Sequence, residues 1–227
     1  MRRTSEERRD EGMTLVELLV SMGIFSILMV ITTAIMIDMM YASRENLGRV
    51  NATEEARLGL SQIDRQVRSG NVILDPALET YTDSGVDPYY SLRIYTQEGD
   101  SPKCAQWRVI DENDDGFGNL EYRYWSPNYP TDPAVSDWAV VAHNVIVPAF
   151  VAPDSNDSST WPPFWKDPST VTSALGSTPA QNVRITLKLL TPEMRKGSKP
   201  VSISSVVTGR NTVLGYSESS CSVIPAP

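Results

Sequence analysis

Gly12-Met13-Thr14-Leu15-Val16-Glu17-Leu18-Leu19-Val20 opens an apolar run that continues to Ile37. The 25 residues from Met13 to Ile37 contain one charged side chain, Glu17, and no proline. A bilayer-spanning helix needs about 20 predominantly apolar residues, so length and composition predict a membrane-crossing helix over 13–37. Glu17 does not suit an ordinary anchor. A carboxylate inside a bilayer costs about 2.5–3.5 kcal/mol on insertion scales, which calls for a partner. A secretory signal peptide has an apolar core of only about 7–15 residues followed by a small-x-small cleavage site. This run is longer, and Ile35-Met36-Ile37-Asp38-Met39-Met40 supplies no such site. A plain single-span anchor is the simpler alternative, and it leaves Glu17 unexplained.

A charged leader ending in Gly12, followed by Met-Thr-Leu-Val-Glu-Leu-Leu-Val, resembles the class III signal of type IV prepilins. The resemblance implies that a membrane enzyme, the prepilin peptidase, cuts between Gly12 and Met13 and methylates the new amine. Glu17 then becomes the fifth residue of the mature chain, where that family keeps its glutamate. Its implied partner is the ammonium of Met13, on the same chain one turn away or on a neighbouring subunit. A buried carboxylate paired with a buried ammonium is tolerable where either alone is not. The resemblance further implies a minor structural subunit of a type IV pilus or pseudopilus, assembled with other pilin subunits through the N-terminal helix. A cytoplasmic ATPase and a polytopic platform protein would drive assembly. The large ectodomain, and a helix without the proline that many major pilins carry, favour a minor subunit. An adhesive or DNA-capturing module is the alternative within the same family.

The net charge of −8 survives loss of the leader, because Arg2, Arg3, Arg8 and Arg9 balance Glu6, Glu7, Asp10 and Glu11. An acidic ectodomain opposes nonspecific nucleic-acid binding, which depends on basic residues neutralising phosphates. Orientation follows Lys and Arg rather than net charge. Four arginines precede the span, while Arg44, Arg49 and Arg57 follow it, a bias that puts the N-terminus in the cytoplasm. The expectation is a single-pass membrane protein with an extracytoplasmic C-terminal domain, passing into a fibre on assembly. Cys104 and Cys221 both fall in that domain, where a disulfide can persist, and an even count makes them a candidate bridge.

The expected fold class is α+β, a long N-terminal helix packed on an antiparallel sheet, with four segments. These are a leader at 1–12, the membrane helix at 13–37, an amphipathic continuation at 38–70, and a β-rich domain at 71–227 with a long loop at 148–181. In the continuation, Leu47, Val50, Leu60, Ile63 and Val67 supply the apolar positions, and the 60, 63, 67 spacing marks one helical face. Gly48 and Gly59 lower helix propensity, and Gly70 suits a C-terminal cap. Tyr89 to Thr96 reads as a strand. From Cys104 to Ile110, Ala105, Trp107 and Val109 alternate with Gln106 and Arg108, the pattern of a half-buried strand, and Leu120, Tyr122 and Tyr124 form the returning apolar face. Cys104 falls on the polar face, where a tail carrying Cys221 can be stapled. Trp138–Val147, Val183–Leu189 and Val201–Thr208 complete the strands. Pro148 to Gln181 reads as a surface excursion, within which Trp161, Phe164 and Trp165 pack back onto the domain.

Catalytic chemistry has little to work with. His143, the sole histidine, sits inside a strand-like run, and there is no Walker-type glycine loop and no Cys/His cluster with zinc spacing. Asp111-Glu112-Asn113-Asp114-Asp115-Gly116 matches the opening of an EF-hand loop, making Asp111, Asn113 and Asp115 calcium candidates. The twelfth position is Tyr122 rather than glutamate, and strands flank the loop, so an acidic hairpin turn is the expectation. No enzyme activity and no cofactor are expected.

Overall fold

The computed structural model describes residues 12–98, 101–167, 180–194, 197–217 and 219–226; residues 1–11 of the leader and the Ser/Thr-rich end of the excursion at 168–179 lie outside the described residues. The chain divides into two units, 1–46 and 47–227, and helix α1 (Leu15–Ser69) contributes to both. Strands β1 (Gly70–Ile73), β2 (Ser91–Glu98), β3 (Ser101–Ile110), β4 (Phe117–Trp125) and β5 (Ala139–Ile146) follow, with a short helix α2 (Tyr81–Ser84) between β1 and β2. β6 (Phe164–Trp165), β7 (Asn182–Leu189) and β8 (Val201–Thr208) complete the sheet. Every pairing is antiparallel, in the order β1-β2-β3-β4-β5-β7-β6, with β8 laid along the whole of β7. The α+β class is therefore as the sequence predicts.

In the second unit, the core lies between the last six turns of α1 and one face of the sheet. Val183, Ile185, Leu187 and Leu189 of β7 are all fully buried, as their alternation requires. Ala105, Trp107 and Val109 of β3 join them, and the Trp107 indole N–H donates to Gln66 Oε1 on α1 at 2.7 Å. The buried face of the helix differs from the predicted one. Ile63 and Val67 are buried, but Leu47 and Val50 are 59% and 53% exposed. Gly48, Ala52, Ala56 and Gly59 take their place against the sheet. A Cβ on Gly59 would lie 2.7 Å from Leu120 Cδ2, and one on Gly48 would lie 2.7 Å from Thr191 Oγ1. The helix backbone approaches too closely for larger residues, so the two glycines that weaken helix propensity are the contact points.

Gly70 is not a left-handed cap. It begins β1, where an added Cβ would meet Ile94 Cγ2 and the Val67 carbonyl at 3.0 Å each. The last carbonyls of α1 are satisfied from the other end of the chain instead. Arg68 O accepts from the Arg210 N–H and Ser69 O from Asn211 Nδ2, both at 3.4 Å.

The polar face of β3 and β4 is also corrected. Gln106, Arg108, Glu121 and Arg123 are buried, while Tyr124, placed on the apolar face by its alternation, is 41% exposed. A second layer covers this side. Cys104 is bridged to Cys221 with Cα atoms 5.6 Å apart. Arg93 donates to Cys221 O, and Arg123 donates to Gln106 Oε1, Pro225 O and Ala226 O. Arg93 also pairs with Glu79 at 2.6 Å and Arg108 with Glu121 at 2.9 Å, and Trp138 stacks on Arg108 and Arg123. Burial and the neighbouring Arg108 push the Arg123 guanidinium down to about 10, still charged at neutral pH. Burial raises the Glu79 carboxyl above its ordinary value, more than Arg93 lowers it. Arg93 and Arg123 are buried here because the C-terminal tail supplies carbonyl acceptors, which no strand alternation reveals, while Arg108 donates to Glu121 and to Ser84 O.

The excursion after β5 is only partly a surface loop. Phe164 and Trp165 are buried and pair with Ile185 and Arg184 of β7, while Arg184 stacks over Trp161 at 3.9 Å and pairs with Asp167 at 2.7 Å. The aromatic residues pack back as expected, and they carry the backbone into the sheet with them.

Gly59→Val places a branched side chain against fully buried Leu120, so the unfolding free energy should fall by about 1–3 kcal/mol. Chaotrope unfolding of the detergent-solubilised chain, followed by tryptophan fluorescence, measures this; an unchanged midpoint would contradict the close contact.

Candidate functional site

The site begins where α1 begins. The Glu17 backbone N–H donates to Thr14 Oγ1 at 3.2 Å, and Glu17 Oε2 accepts from both the Thr14 N–H and the Thr14 hydroxyl at 3.0 Å. This is a reciprocal capping box, with Thr14 as N-cap and Glu17 three residues on. It satisfies donors that a helix terminus otherwise leaves open. The negative carboxylate also lies at the positive end of the helix dipole. Both bonds converge on Oε2; among the described residues Oε1 has no partner, which leaves it open for a further cation. The Thr-x-x-Glu spacing was legible in the sequence, and Thr14 is the residue that reasoning about charge alone passes over.

Below the cap, every residue from Gly12 to Arg44 is exposed within its own chain, including Leu15 at 75% and Phe25 at 62%. Two hydroxyls of the run, those of Ser26 and Thr32, turn inward to the helix backbone. Ser26 Oγ donates to Met22 O at 2.7 Å, and Thr32 Oγ1 to Leu28 O at 3.0 Å. Such bonds remove hydroxyl donors from an apolar environment. Among the described residues, this is the one helix long and apolar enough to cross a membrane. The arrangement is an anchor that needs an apolar surrounding, headed by one carboxylate with a free oxygen. Gly12 and Met13 lie immediately before the cap, in non-helical backbone.

The remaining candidates sit elsewhere. His143 lies on β5 with its side chain 59% exposed; its backbone N–H donates to Glu55 Oε2 at 2.8 Å and its Nδ1 is 3.6 Å from the same oxygen. That joins β5 to α1. Asp111 spends its carboxylate inside the hairpin turn, accepting from the backbone N–H groups of Asn113, Asp115 and Gly116 at 3.2, 3.3 and 2.7 Å. Asp115 accepts from Phe117 N–H at 2.9 Å. Among the described residues no group of three or more His, Cys, Asp or Glu side chains is placed to hold a metal.

Thr14→Ala removes the two bonds of the Thr14 hydroxyl, keeps the backbone N–H half of the capping box, and should weaken the first turn by about 1 kcal/mol. In micelles the Glu17 amide should then exchange with deuterium about fivefold faster; an unchanged rate would contradict the cap.

No curated protein and no solved structure matches the chain. One family does: residues 8–33 match the prokaryotic N-terminal methylation motif. With that motif and the long apolar helix that begins within it, the chain fits a type IV prepilin-like protein, anchored by its N-terminal helix.

Proposed function

We propose that this chain is a minor structural subunit of a type IV pilus or pseudopilus. The observation that carries the reading is the conjunction, in one short stretch, of a methylation motif, a glutamate with one free carboxylate oxygen, and an apolar helix bare on all sides. The leader ends at Gly12, the prepilin peptidase cuts there, and the amine of Met13 is methylated. Before assembly the N-terminus lies in the cytoplasm, residues 13–37 span the membrane, and the domain from 71 onward is extracytoplasmic. An ATPase and a platform protein then move the subunit from the bilayer into a fibre.

Transfer into the fibre exchanges lipid for packed side chains, so the apolar contacts alone give little preference for one register. Register comes from charge. Glu17 Oε1 accepts the ammonium of Met13 from a neighbouring subunit, while Oε2 remains on Thr14. A mispaired subunit leaves both charges buried and unmatched, which costs several kcal/mol per ion. The role is structural, with no reaction catalysed by the subunit itself.

Intact mass of the protein from cells with and without the prepilin peptidase tests the processing step. Loss of residues 1–12 and gain of one methyl group, only when the peptidase is present, is the expected result. An uncleaved chain in both strains would leave a single-span membrane protein and remove the assembly reading.

A further inference from the structure

The second unit contains a cleft of about 520 Å³ between the segment around α2 and the β3–β4 turn. That size falls within the range of about 300–1,000 Å³ typical of ligand sites. Val86 and Val109, both buried, form its floor. Tyr81 and Phe150 stand as walls and are 68% and 57% exposed. Phe150 is held in place by stacking on Tyr89, with ring centroids 5.8 Å apart. Tyr90, also lining the cleft, is fixed by its hydroxyl donating to Pro148 O at 3.0 Å. Burial, and secondarily the charge of Asp87, pushes the Tyr90 phenol up to about 12, so it stays neutral.

The rim has one sign of charge. Asp87, Glu112 and Asp114 line it, and among the described residues no lysine, arginine or histidine does. Asp111 is committed to the turn, as its three backbone bonds show. The other three carboxylates have no side-chain partner among the described residues. Three carboxylates with no side-chain partner among the described residues, beside exposed aromatic faces and an apolar floor, match one kind of ligand: a cationic head on an aliphatic stem. The rings attract the cation through their faces and cover the stem, while the carboxylates take the N–H donors.

We propose that this cleft is a docking site for a lysine or arginine side chain presented on an extended segment of another protein. The net charge of −8 draws such a partner in at long range. The apolar floor and aromatic walls then distinguish a seated side chain from a cation held loosely at an acidic surface. The inference goes beyond the assembly reading and does not depend on it, since it concerns the folded domain in either a fibre or a membrane.

The test is fluorescence anisotropy with the full chain in detergent micelles. The probe is a labelled Ser-Gly-Arg-Gly-Ser peptide, with counterparts carrying Lys, Gln or Glu at the centre. Asp87→Asn combined with Glu112→Gln removes two rim charges, and Phe150→Ala removes a wall. Asp132→Asn combined with Asp137→Asn removes two carboxylates that do not line the cleft. Near-UV circular dichroism confirms that each variant keeps its tertiary packing. The expected result is saturable binding of the Arg and Lys peptides, absent for Gln and Glu. Affinity should fall about tenfold in both cleft variants and hold steady in the control. Equal loss in the control, no response to Phe150→Ala, or no saturation at millimolar peptide would each overturn the proposal.

Discussion

A carboxylate in an apolar run is the constraint from which the rest follows. Glu17 stands one turn into a helix that carries no other charge from Leu18 to Ile37, and a charge there is stable only when it is partnered. Thr14 occupies one carboxylate oxygen with two hydrogen bonds and leaves the other open. The capping box thus does two things at once: it starts the helix cleanly, and it aims an unspent acceptor at the surroundings. In the assembly proposed above, that free oxygen is what makes the helix selective about what lies next to its head, where the apolar residues below it are not.

The second unit solves a different problem, that of holding a helix against a strongly hydrogen-bonded sheet. Gly48, Ala52, Ala56 and Gly59 bring the backbone in close, and Ile63 and Val67 fill the space beyond them. The chain's last segments then secure the arrangement from outside. The stretch after β8 donates to the final carbonyls of α1, and the tail from Cys221 onward spreads its own carbonyls over Arg93 and Arg123. The sheet therefore has an apolar core on one face and a hydrogen-bonded, charged layer on the other. In the second layer the buried arginines are satisfied by main-chain acceptors as well as by Glu79, Glu121 and Gln106.

Much of this was readable from residues alone, because periodicity and motif spacing are local. The apolar run, the helix reaching Ser69, the β3–β4 hairpin and the paired β7 and β8 all follow from patterns within one element. What escaped the reading depends on neighbours distant in the chain. Leu47 and Val50 outrank Gly48 and Ala52 on any hydrophobicity argument, yet the closeness of the sheet reverses the order. Gly70 looks like a cap only while the Arg210–Asn211 segment is out of view. Gln106 looks solvent-facing until Arg123 and the tail that holds it arrive to cover it. Trp161-Pro162-Pro163-Phe164-Trp165 reads as a loop because two prolines and a two-residue strand leave no alternation to detect. At the helix head, Glu17 was found through its charge, while Thr14 needed a capping pattern rather than a charge argument.

The account rests on Glu17 acting in assembly rather than in folding or processing, and Glu17→Gln separates these directly. The substitution keeps the side-chain size and an acceptor for Thr14 while removing the negative charge that a neighbouring ammonium needs. Fibres sheared from cells expressing the variant, compared with the membrane fraction by quantitative immunoblotting, give the measurement. The account predicts a processed protein that remains in the membrane and is depleted from the fibres. Wild-type incorporation of the variant would contradict it.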